Sequence, residues 1–353
     1  MFIKSDLVVI IGAGLGMIFA GYAYYAGVNS IFAFATSAVA VTFLASLVGR
    51  SVDQLGDKFG PGATGVLQSA LGNLPELFIS IFALRAGLTE VVKAALVGSV
   101  LSNLLLVLGL AFLAGGLKHG PQKLGSARAR TIVILMLLSV MALTIPSIAH
   151  WIHTPAAPHE HSFSLIVSVV LLLLFILYLP ASLKHNKEST SSPVESAEPP
   201  RWPVWLAVLL LATASLCAAF VSDWFVKSLE PTMKALHISD TFAGLVIVAI
   251  AGNAIENVVG IQLSLKGQSE YAFSVIVNSP LQIALVLAPL LVIISQVFGL
   301  APFTLVFSPM LVAAMFLSII LTAFISFDGE SNWLEGAMLI AIYIIIAASF
   351  WWG

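Results

Sequence analysis

Apolar residues come in runs of about twenty, long enough to cross a bilayer as helices. Short polar breaks separate the runs, and none alternates with a period of two, which excludes a membrane barrel. Eleven runs stand out, at roughly 7–25, 31–49, 62–84, 91–117, 130–150, 162–183, 203–222, 240–264, 270–297, 303–326 and 332–352. The pattern predicts an all-α integral membrane protein with 11 transmembrane helices.

A few polar residues interrupt these runs, and they recur. Gly72-Asn73-Leu74-Pro75-Glu76 lies within the third run and Gly252-Asn253-Ala254-Ile255-Glu256 within the eighth, 180 residues later. Gly87/Gly267, Glu90/Glu270 and Ser99/Ser279 keep the same offset without a gap. A carboxylate at bilayer depth is costly and is seldom kept without a task. Two at equivalent points of an internal repeat point to one site built from both halves. The offset pairs spans 2–6 with spans 7–11 and leaves the first helix unpaired. Five spans are an odd number, so the second copy enters the membrane from the opposite side. The predicted organisation is an extra N-terminal helix (1–28), a five-helix repeat (29–183), a Ser-, Pro- and Glu-rich linker (184–202) and an inverted five-helix repeat (203–353).

Composition agrees. The chain has 353 residues, 59% hydrophobic and 9% charged, with a mean hydropathy of +1.05. A soluble domain carries about a quarter charged residues. No basic face of the kind that binds nucleic acid is present. The single cysteine, Cys217, rules out an internal disulfide and a thiolate metal cluster. Lys and Arg divide unevenly between the two sets of loops. Lys4, Arg50, Lys58, Lys118, Lys123, Arg128, Arg130, Lys184, Lys187, Arg201 and Lys266 fall on one side, and Arg85, Lys93, Lys227 and Lys234 on the other. By the positive-inside rule the N-terminus is cytoplasmic and the C-terminus outside. The short chain fits a prokaryotic inner membrane, and a homo-oligomer is left open.

Asn73 and Glu76, like Asn253 and Glu256, are three residues apart and share a helical face. Gly72 and Gly252 loosen the helix at the motif, and Pro75 adds a missing backbone donor in the first copy only. A second polar set follows each motif: Ser99, Ser102 and Asn103 in one helix, Ser279 and Gln282 in the other. Hydrogen bonding between helices would explain each residue alone as well as a binding role would. As a group they read as the outer part of the same site. The donors are carboxylate, amide, hydroxyl and backbone oxygens, with no intramembrane histidine. That set suits a hard divalent cation, and a flexible oxygen cage suits Ca2+ better than Mg2+. Two carboxylates in a low dielectric titrate as a coupled pair, so protons and the cation compete for them. No cofactor is implied, and no nucleophile–base spacing falls on the spans. The external His150, His153, His159 and His161 read as a solvated loop. Glu90 and Glu270, at helix starts, read as favourable charges on the helix dipole.

Five segments carry a family resemblance: 60–77 (GPGATGVLQSALGNLPEL), 98–109 (GSVLSNLLLVLG), 251–257 (AGNAIEN), 278–285 (NSPLQIAL) and 328–336 (DGESNWLEG). They resemble the Ca2+/H+ antiporter branch of the calcium/cation antiporter superfamily, in the right order from about residue 50 to the C-terminus. The resemblance implies an antiporter that exchanges Ca2+ for protons by alternating access. Glu76 and Glu256 would be the central carriers, and Asn73, Asn253, Ser99, Ser279 and Gln282 would line the pathway. Asn257 stands where the family ordinarily has His, and Pro75 where it has an alanine-type residue. A Na+-coupled exchanger and a passive cation channel remain alternatives.

Overall fold

The computed structural model describes residues 3–59, 71–124, 127–188 and 201–352. Helices make up most of them: α1 Lys4–Tyr25, α2 Ser30–Phe59, α3 Leu74–Arg85, α4 Thr89–His119, α5 Ala127–Trp151, α6 Glu160–Glu188, α7 Val204–Leu236, α8 Asp240–Gly252, α9 Ala254–Leu265, α10 Ser269–Val297, α11 Pro309–Asp328 and α12 Trp333–Ser349. A two-residue antiparallel ladder pairs β1 (Gln122–Lys123) with β2 (Glu330–Ser331), Gln122 opposite Ser331. Among the described residues seven helices are long and apolar enough to cross a membrane, or eight when α8 and α9 count as one bent span. The fold is a multi-pass helical membrane protein. Of the third expected run, 62–84, residues 62–70 lie outside the described residues.

The chain divides into two compact units, each assembled from both halves of the sequence. The first comprises Met1–Ala86 and Leu172–His237. Here α2 lies along α7 and α1, and the α1 and α2 backbones meet where Gly16 touches Ala40. The outer stripe of α1, with Leu7, Ile11, Leu15, Ile18 and Tyr22, is exposed, as a helix facing lipid should be. Near its start the buried Asp6 binds Arg50 at 2.6 Å.

The second unit comprises Gly87–Leu171 and Ile238–Gly353. The most enclosed helices, α4 and α10, lie here, with 83% of each span's apolar window buried. Glycines let α4 approach its neighbours. A Cβ at Gly98 would overlap the Leu245 carbonyl of α8, and one at Gly244 would overlap the Val91 carbonyl of α4. Gly109 and Gly336 bring α4 against α12 in the same way.

The repeat is visible in local structure. α3 and α9 begin and end 180 residues apart, as do the starts of α4 and α10. The turns between them pass through Gly87 (φ 81°) and Gly267 (φ 78°), a left-handed conformation that favours glycine. Both α4 and α10 then loosen into π-helical turns, at Ser102–Val107 and Ile283–Leu287. A third π-helical turn, Ala243–Val248, lies within α8.

Three expectations need correction. The run 303–326 is helical only from Pro309; residues 303–308 form an irregular segment, although Phe303, Leu305 and Phe307 are fully buried. Two serines from distant helices supply their backbone with partners. Ser147 Oγ donates to the Leu305 carbonyl (2.9 Å) and accepts from the Phe307 N–H (2.9 Å), while Ser164 Oγ accepts from the Leu305 N–H (3.0 Å). α6 continues to Glu188, into the stretch 184–202 expected to be a linker; residues 189–200 lie outside the described residues. The run 203–222 is the first part of a longer helix, α7, which absorbs Pro231 and reaches Leu236.

Candidate functional site

The second motif sits at a break between two helices, and the first at the start of α3. Asn253 closes α8 and precedes α9, with φ −96° and ψ 19°. Asn73 precedes α3 with φ −94° and ψ 17°. This bridge-region backbone is sparsely populated and recurs at active positions. Asn253 takes the same backbone as Asn73 without a following proline, so that conformation does not require one. The axis bends by 60° between α8 and residues 257–265. A broken helix at membrane depth is tolerated where it lines a cavity or is buried in protein.

In the second unit, three elements bring four of the expected residues together. Asn253 Nδ2 donates to Ser99 Oγ (2.7 Å) and to the Ala249 carbonyl (2.9 Å). Asn253 Oδ1 accepts from Asn103 Nδ2 (3.0 Å) and from Ser279 Oγ (3.2 Å). Asn103 Nδ2 also reaches back to the Ser99 carbonyl one turn earlier, at 2.9 Å. All four side chains are buried, Asn103 completely. Burial of that many polar groups is costly unless they satisfy one another, and here they largely do. The Asn103 Oδ1 atom is the exception, a buried acceptor with no hydrogen bond among the described residues. Gln282, buried on α10 one turn beyond Ser279, is the repeat counterpart of Ser102. Gly252, the last residue of α8, is buried beside Asn253.

Glu76 belongs to the first unit. It is 7% exposed and occupies the first turn of α3, two residues past the Leu74 start. The partial positive charge of a helix N-terminus favours a carboxylate there. Gly72 and Asn73 are half-buried just before it. Glu256 has the equivalent backbone position in α9; its side chain lies outside the described residues. Glu90, in the first turn of α4, pairs with Lys93 at 2.9 Å. Among the described residues no three of His, Cys, Asp and Glu are grouped to hold a metal ion.

Sequence reasoning did not single out Tyr343. This buried residue of α12 lies within hydrogen-bonding range of Ser102, yet both hydroxyls lack a direct bond of good geometry. Its only signal was a hydroxyl-bearing aromatic set among isoleucines and alanines.

The family described as sodium/calcium exchanger protein matches the chain twice, over residues 29–184 and 206–352. The chain belongs to this family. Within it, the chain is 36% identical over 322 residues to the Ca(2+)/H(+) antiporter ChaA of Bacillus subtilis (strain 168), covering 90% of this chain and 91% of that one. It is 35% identical over 337 residues to a Ca(2+)/H(+) antiporter of Aphanothece halophytica, covering 90% and 89%. The solved structure of native YfkE superposes with a TM-score of 0.83 at 33% identity, covering 97% of this chain and 99% of that one. These exchanger relatives are antiporters, and this chain shares nearly their full length.

Proposed function

We propose that this protein is a secondary antiporter that exchanges Ca2+ for protons by alternating access, with Glu76 and Glu256 as the carriers. The observation that carries the reading is the buried Asn253–Ser99–Asn103–Ser279 cluster. It is neutral, rich in oxygen and held at a helix break three residues before Glu256. Hard cations take carboxylate, amide, hydroxyl and carbonyl oxygens, and Ca2+ accepts six to eight in flexible geometry. The hydrogen bonds fix the two amides before any cation arrives. The Asn103 Oδ1 atom is left as an acceptor with no described donor, the state expected of a ligand oxygen.

Charge balance accounts for the exchange. Two ionised carboxylates without a cation are expensive at bilayer depth. A dehydrated Ca2+ neutralises both, and so do two protons. The deprotonated pair binds Ca2+ on one leg, and the protonated pair makes the return. Because one pair serves both cargoes, loading one expels the other. The relatives named as Ca2+/H+ antiporters support the choice of ions. In this reading the carrier lies in a prokaryotic inner membrane, N-terminus inside, as 11 spans with inverted repeats.

The test is Ca2+ uptake by proteoliposomes under an imposed proton gradient. Uptake should follow the gradient, collapse with a protonophore and be indifferent to Na+. Uptake driven by Na+ would instead indicate a Na+-coupled exchanger, and uptake indifferent to both gradients a passive channel.

A further inference from the structure

A second binding feature lies within the first unit, apart from the polar motifs. A cavity of about 430 Å³ opens between the C-terminal end of α3 and the middle of α7. Its polar wall is Arg85, Lys227 and Asp223, and its apolar wall includes Phe82, Leu216 and Phe220. Lys227 and Asp223 pair at 2.6 Å. Arg85 is exposed in the last turn of α3 and makes no ion pair among the described residues. The three charges sum to one net positive, and the unbalanced charge is the guanidinium.

The surroundings indicate which anion belongs there. Trp205, Leu209, Leu216 and Phe220 on α7 are all at least half exposed and fall on one helical stripe. Lys227 continues that stripe, seven residues beyond Phe220. At its level the stripe meets an aromatic cluster: Tyr24 stacks on Trp224 (6.1 Å between rings), Tyr25 packs edge-on against it (5.7 Å), and the Lys227 ammonium lies 5.8 Å from the Tyr24 ring centre. Tyr, Trp and Lys collect at the headgroup level of a bilayer. The surface therefore runs from an apolar strip at acyl-chain depth to two cations at phosphate depth. A guanidinium offers bidentate donors to a phosphate. A transported cation would meet two positive groups here and one carboxylate already engaged by Lys227.

We infer that this cavity binds an anionic phospholipid, with its phosphate on Arg85 and Lys227 and an acyl chain along Leu216 and Phe220. The lipid would then rest on the helix whose first turn holds Glu76, nine residues from Arg85. Such a lipid acts as a wedge between α3 and α7 and adjusts how readily α3 moves.

The test uses the full chain purified in detergent, with thermal unfolding as the readout. Added phosphatidylglycerol should raise the melting temperature, while phosphatidylcholine and glycerol 3-phosphate should not. The Arg85→Gln/Lys227→Gln variant should melt normally without lipid and lose the phosphatidylglycerol shift. Arg85→Lys, with Lys227 intact, should keep part of it. Three results would each overturn the inference: an equal shift with phosphatidylcholine, an equal shift with glycerol 3-phosphate, or a full shift in the double variant. If the double variant fails to fold, Arg85→Gln alone decides, with loss of most of the shift expected and its full retention contradictory.

Discussion

Asn253 Nδ2 donates to Ser99 Oγ over 2.7 Å, joining residues 154 positions apart in the chain. Through that bond, a helix break in the second copy of the motif is locked to the helix that follows the first. Asn103 and Ser279 complete the lock on the other side of the same amide. The asparagine does two jobs, ending α8 and fixing the side chains around the break.

Asn253→Ala removes both functions of the amide. Ser99, Asn103 and Ser279 would each lose a buried partner, at about 1–3 kcal/mol for a group left unsatisfied. Ca2+ binding should weaken at least tenfold, the equivalent of about 1.4 kcal/mol. Calorimetric titration of the purified variant measures this, and unchanged affinity would remove Asn253 from the site.

Glu76→Gln and Glu256→Gln should each abolish Ca2+/H+ exchange while leaving a monodisperse, folded protein. The amide keeps the size and the oxygen but can neither neutralise the cation nor carry a proton. Vesicle transport beside size-exclusion chromatography checks both halves, and exchange surviving in either variant would defeat the two-carboxylate mechanism.

Gly98→Ala and Gly244→Ala force a methyl group into the backbone of the facing helix. Neither carbonyl can turn aside as a flexible side chain could. Overpacking of this kind costs about 1–3 kcal/mol, so both variants should melt lower in detergent. Gly14, where nothing lies near an added Cβ, is the control, and Gly14→Ala should melt like the parent.

Ser147→Ala should destabilise the irregular segment at 303–308. The change strands the Leu305 carbonyl and the Phe307 N–H in the interior, at about 1–3 kcal/mol each. A lowered melting temperature is expected, with a larger fall in Ser147→Ala/Ser164→Ala, and no change in either would contradict the assigned role.

The membrane fold and the buried Asn253–Ser99–Asn103–Ser279 cluster were legible because both depend on contrast. Glu76, Asn73 and Asn253 are conspicuous in apolar runs, and an offset of 180 residues ties the copies together. What stayed hidden lacked local contrast. Residues 303–308 are as apolar as a helix, and the serines that bind their backbone are about 140 to 160 positions away in sequence. The π-helical turns near Asn103 and Gln282 shift one hydrogen bond in register and leave no mark in composition. Pro75 drew attention as the helix breaker, yet Asn253 adopts the same backbone without a proline. Tyr343 could be matched to Ser102 only once α12 was packed on α4.

Competition between Ca2+ and protons for one pair of carboxylates is most directly tested by titrating Ca2+ into the purified protein in buffers of different ionisation enthalpy. Ca2+ binding should release protons, so that the measured heat changes with the buffer and the affinity falls as pH is lowered. A heat independent of buffer, with an affinity that does not change with pH, would contradict it.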